Sequence, residues 1–137
     1  MINLREVYRV AGALSGFTHG ELGGGSRLPP VVRVRQRGMY LCTLVRPDAG
    51  PSMIGRPINR DRATVRYGIA QVGLRLAQGD DEERWLISQA IDQIVSRQDV
   101  AESMRLVSAQ IAECSHRLEQ LKRDFQRLAV LRRAEAS

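Results

Sequence analysis

The sequence predicts an all-α protein that closes on a long C-terminal helix, and three observations predict it. Apolar residues recur at helical intervals of three and four in several separate stretches. Glycine and proline gather in two segments, 16–30 and 47–59, which punctuate the chain rather than interrupt those stretches. From Met104 to Leu128 the 3,4 spacing then runs without a fault for more than three heptads.

The elements follow in order. Leu4, Val7, Val10, Ala11 and Leu14 define a short amphipathic helix over residues 3–14, with Asn3 at its N-cap. Residues 16–30 hold five glycines and two prolines, which predicts a loop, flexible at Gly23–Gly25. The stretch 31–46 opens with a strand-like alternation, Val-Val-Arg-Val-Arg, but its remainder is helical, so a helix is predicted from about Val32 to Pro47. Between residues 47 and 59 there is room for one helical turn, around Ser52–Arg56. Val65, Ile69, Val72 and Leu76 share one helical face, with Asn59 or Asp61 as cap and Gly79 as the stop.

A short helix, a turn and a second helix with a polar, arginine-bearing start is the pattern of a helix-turn-helix. A helix of that kind fits the major groove and aims its first-turn side chains at base edges. The acids Asp80–Glu83 suit the positive end of the next helix, whose apolar face is Leu86/Ile87, Ala90/Ile91 and Ile94/Val95. Asp99 followed by Glu102 resembles a capping box and predicts a restart near Gln98. Beyond it, Met104, Val107, Ile111, Cys114, Leu118, Leu121, Phe125 and Leu128 form the seam of a coiled coil or of an antiparallel hairpin with residues 82–97. The expected division is a domain over residues 1–98 and a long amphipathic helix over 99–137 for dimerisation or partner docking.

Composition narrows the function. No apolar run approaches the ~18–20 residues of a membrane span, and the N-terminus has no signal-peptide core. Twenty of the 21 basic residues are arginine. The one lysine, Lys122, lies in a polar helical stretch, which excludes a Walker P-loop and argues against Schiff-base chemistry. Net charge is +6 and the isoelectric point about 10.3, favouring a polyanionic partner. That charge is made in residues 1–78, where twelve arginines face four acids; residues 79–137 are slightly acidic. Cys42 and Cys114 read as buried free thiols rather than a bridge, and the expected location is the cytoplasm, with the nucleoid. His19 and His116 lack companions at metal-binding spacing. Tyr40, Tyr67 and Trp85 read as packing residues. No nucleophile–base pair, metal cluster or cofactor loop is present in the pattern, so neither an enzyme nor a cofactor is expected.

The stretches VRQRGMYLC, IG and NRDRATVRYGIAQV together resemble the C-terminal DNA-binding domain of the bacterial replication initiator DnaA. The matching residues are Arg35, Gln36, Met39-Tyr40-Leu41, Ile54-Gly55 and Arg60-Asp61-Arg62-Ala63-Thr64-Val65, and a weaker likeness runs from about Leu4 to Val95. The resemblance implies a DnaA-type helix-turn-helix that binds double-stranded DNA. It implies base contacts by Arg33, in the minor groove, and by Asp61, Arg62, Ala63 and Thr64, in the major groove. Arg35, Arg60 and Arg66 would then touch phosphates. Asp61 reads equally well as a helix cap. The Ile-Gly turn stands one residue closer to Arg-Asp than in the family, and Arg62-Ala63 replaces its His-Thr. Arginine pairs bidentately with guanine and alanine offers only a methyl, so the expected target differs in sequence from a DnaA box.

Nothing in the sequence matches the initiator's ATPase module. The implied function is a freestanding transcriptional regulator, such as the activator of a phage-like gene cluster in a high-GC bacterium. The alternatives are a replication modulator that competes for origin sites, or a coiled-coil adaptor contacting RNA polymerase. The seam provides for a homodimer or for such a protein partner.

Overall fold

A computed structural model describes residues 2–136. Every regular element among them is helical: α1 (Leu4–Ala13), α2 (His19–Gly23), α3 (Pro29–Val45), α4 (Pro51–Gly55), a 3-10 turn (Arg56–Ile58), α5 (Arg62–Ala77) and α6 (Asp81–Ala136). The chain divides into two compact units, Met1–Gln98 and Asp99–Ser137.

In the first unit α1 and α5 both pack on α3. Its core is drawn from each helix, with Val7, Tyr8, Met39, Leu41, Ile54, Val65, Val72 and Ile94 essentially sealed from solvent. Asn3 caps α1, as its position predicts, by accepting from the Arg5 amide at 2.9 Å. The Tyr8 hydroxyl donates to the Ile54 carbonyl at 2.7 Å and ties α1 to α4. Burial raises the Tyr8 pKa and pushes the Cys42 thiol up to about 12.

Four expectations are corrected here. The glycine-rich stretch is not simply a loop: Thr18 and Glu21 form a reciprocal capping box that starts α2, and Leu22 anchors that helix in the core. Helix α3 starts at Pro29, three residues before Val32, because two prolines in a first turn surrender amides that have no intrahelical acceptor. Helix α6 is continuous through Asp99, so no new helix is capped there. Finally, only Cys42 is a buried thiol; Cys114 is exposed.

The approach to α5 is a tight turn. Asn59 adopts a left-handed backbone, φ +55°, and the Arg60 amide closes back on the Gly55 carbonyl at 3.0 Å. A Cβ at position 55 would run into the Arg60 carbonyl, so this geometry requires glycine there. Pro57 lies within the 3-10 turn, where its missing amide costs no helical hydrogen bond.

Candidate nucleic-acid interface

The site is built on the first two turns of α5. Of the two possible caps it is Asp61 that serves, accepting from the Thr64 amide at 2.8 Å. These hydrogen bonds to the Thr64 side chain and amide hold the Asp61 carboxyl below the usual carboxylate range. Val65, Gly68 and Val72 face the core and fix the helix from behind. Asp61, Arg62, Ala63, Thr64, Arg66 and Tyr67 are all exposed. Within α5, Ala63, Arg66, Tyr67 and Ala70 follow one another at helical spacing on the face opposite the core. Tyr67 is 62% exposed and is therefore not the packing residue its sequence context suggests. Trp85 is exposed too. The signal for Tyr67 was its place four residues after Ala63, on the same face.

Two of the three expected phosphate contacts have other work. Arg35 is only 5% exposed; its Nε donates to the Leu22 carbonyl at 2.7 Å, and Nη2 donates to the carbonyls of Ser26 at 3.1 Å and Gly24 at 3.4 Å. Arg60 donates to the carbonyls of Ile58, Asn59 and Gly24. Both guanidinium groups thus converge on Gly24. Glycine-rich backbone has no side chains to satisfy its carbonyls, and two arginines supply the donors. The stretch after α2 is accordingly held, not a flexible connection. Burial, and then the charge of Arg60, lower the Arg35 pKa. Arg35 is thus buried away from any phosphate, whereas Arg60 is half-buried and Arg66 is exposed.

Arg33 is exposed on α3, as a groove contact requires. It lines a cleft of about 400 Å³ with Pro29, Arg37, Asp80, Glu82 and Glu83. Those three carboxylates weaken the positive field around it. The first turn of α6 also holds a feature the sequence did not reveal. Glu83 is buried at 3% exposure and receives Arg37 in a two-pronged ion pair, 2.8 and 2.9 Å. Arg75 stands 3.6 Å from the same carboxylate and donates to Gln36 at 3.0 Å. Three of the twelve N-terminal arginines, at positions 35, 37 and 75, are therefore engaged inside the unit. Their charge persists in the field, but their donors do not face outward.

In the second unit, all eight seam residues from Met104 to Leu128 are exposed, with Phe125 at 73%. No group of three or more His, Cys, Asp or Glu among the described residues could hold a metal ion, and no helix among them is long and apolar enough to cross a membrane. No family model matches this chain, and no curated protein matches it either.

Proposed function

We propose that the first unit is a DnaA-like helix-turn-helix that reads double-stranded DNA, and that the protein is a sequence-specific transcriptional regulator associated with the nucleoid. One observation carries the reading. The opening turns of α5 are capped by Asp61 and backed by Val65, Gly68 and Val72, yet they present Arg62, Ala63, Thr64, Arg66 and Tyr67 outward. A helix held from behind with its leading side chains free has the form that major-groove readout requires.

In this reading Arg62 pairs with guanine, Ala63 and the Thr64 methyl meet thymine methyls, and Arg66 fixes register on a phosphate. Asp61 caps the helix with one oxygen and accepts from a cytosine amino group with the other. Tyr67 joins the interface from the second turn. Arg33 contributes from the minor groove. The activity is binding, without catalysis or cofactor.

Fluorescence anisotropy on duplexes selected from a randomised pool tests this, with a DnaA box as competitor. Arg62→Ala weakens the selected site by about 1–3 kcal/mol and relaxes one base position. Wild-type affinity falls steeply between low and moderate salt. A salt-independent signal, or a preference for the unaltered DnaA box, would overturn the assignment. The exposed seam of the second unit favours a second reading, an adaptor that contacts RNA polymerase. Under that reading Leu118→Glu abolishes regulation while DNA affinity is unchanged.

A further inference from the structure

The second unit presents an exposed apolar stripe. Seven of its eight residues expose more than half of their surface, and the eighth, Cys114, is exposed as well. Together they offer on the order of 800 Å² of surface, about what one partner brings to a standard interface.

Charge says what covers that stripe. Residues 99–116 carry three acids (Asp99, Glu102, Glu113) and one base, Arg105; residues 117–137 carry six bases and three acids. The helix is therefore acidic in its first half and basic in its second. The dividing point is also the midpoint of the seam, which lies at position 116. We propose that this segment pairs with the same segment of a second copy, antiparallel and centred on residue 116. The inference does not depend on whether the first unit binds DNA.

Antiparallel pairing lays the acidic half of each copy along the basic half of the other, whereas parallel pairing sets basic against basic. It also matches side chains by size. Met104 meets the partner's Leu128, Val107 the partner's Phe125, Ile111 the partner's Leu121, and Cys114 the partner's Leu118. Every layer then holds one larger and one smaller or two medium residues. In a parallel register Phe125 would oppose itself and Cys114 would oppose itself, giving one swollen and one thin layer. The flanking positions agree. A parallel pair puts Arg117 beside the partner's Lys122 twice over. The antiparallel pair leaves one like-charge contact, between the two copies of Arg117, each salt-bridged to its own Glu113 at 2.8 Å.

Full-length protein is used for the test. Sedimentation equilibrium gives a dimer at micromolar concentration, and Leu118→Glu loses it. In a Cys114→Ala background, oxidation of Val107→Cys/Phe125→Cys gives a covalent dimer whose peptides join position 107 to position 125. Phe125→Cys alone gives no covalent dimer. Should the cysteine variants disturb the helix, a spin label on Ser103→Cys in the same background reads the geometry without touching the seam. The two labels lie about 40 Å apart if the copies are antiparallel, at 1.5 Å of rise per residue. A monomer at tens of micromolar overturns the proposal. So does a 125-to-125 link, a spin-label separation under about 20 Å, or a stripe that is covered only when RNA polymerase is added.

Discussion

Arg37 and Glu83 lie forty-six residues apart in sequence and meet in a buried, two-pronged ion pair, 2.8 Å from Nε to Oε1 and 2.9 Å from Nη2 to Oε2. The pair joins the middle of α3 to the first turn of α6, and Arg75 of α5 leans on the same carboxylate. Three helices are thereby keyed to one acid. Removing that acid leaves two guanidinium groups without a counter-ion inside the unit. Glu83→Ala should cost about 3–5 kcal/mol by urea unfolding, the range for stripping one partner from a buried pair. A change no larger than that of exposed Glu119→Ala would show that the pair holds nothing.

Arg35 provides a second test, because a clamp and a phosphate contact respond differently. As a clamp, Arg35→Met lowers thermal stability and speeds proteolysis within residues 22–28. The salt dependence of DNA binding keeps its slope, whereas loss of a true phosphate contact reduces that slope by about one. Unchanged stability together with a shallower slope would return Arg35 to the DNA interface.

Two glycines should behave in opposite ways. At Gly38 a Cβ would run into the ring of Tyr8, whose hydroxyl is already bound to Ile54. Gly38→Ala should therefore destabilise by about 1–3 kcal/mol through overpacking. Gly73, inside α5, has open space around its missing Cβ. Gly73→Ala should stabilise by about 0.5–1 kcal/mol by removing helix-interior backbone freedom. Both are read from chemical denaturation midpoints, and a reversal of signs would refute the packing of α1 on α3.

The Asp61 cap carries a pH dependence whose sign is fixed by the direction of its shift. Its carboxyl titrates below the ordinary value of 3.8, so the cap's contribution is complete above that value and disappears as pH falls through the folded pKa. Asp61→Asn keeps a capping oxygen without the charge. Thermal melts between pH 5 and pH 2, a window set by roughly where a hydrogen-bonded carboxylate titrates, should show a smaller acid loss for Asp61→Asn than for wild type. Equal acid losses in the two proteins would mean that Asp61 does not cap α5.

Much of the helical framework was legible in the sequence, and the failures have particular causes. Apolar spacing located α1, α5 and α6 because helical periodicity is a local property. It missed α2, where glycine density hid the Thr18–Glu21 box and the single anchor Leu22. It placed the start of α3 late, since Pro29 and Pro30 read as breakers unless they are known to occupy a first turn. It offered a break at Asp99 that neighbouring helical residues overrode.

What the sequence alone determined is the long helices α1, α5 and α6, the outward placement of Arg62 and Arg66 relative to Val65 and Val72, and the eight-residue seam. All of these follow from spacings within one element. Only the tertiary structure decided what each arginine does. Arg35 and Arg60 hold the Gly24 carbonyl, Arg37 and Arg75 hold Glu83, and Arg62 and Arg66 remain exposed. An arginine looks the same in sequence whichever of these it does, because its role is set by donors and acceptors brought beside it from distant parts of the chain.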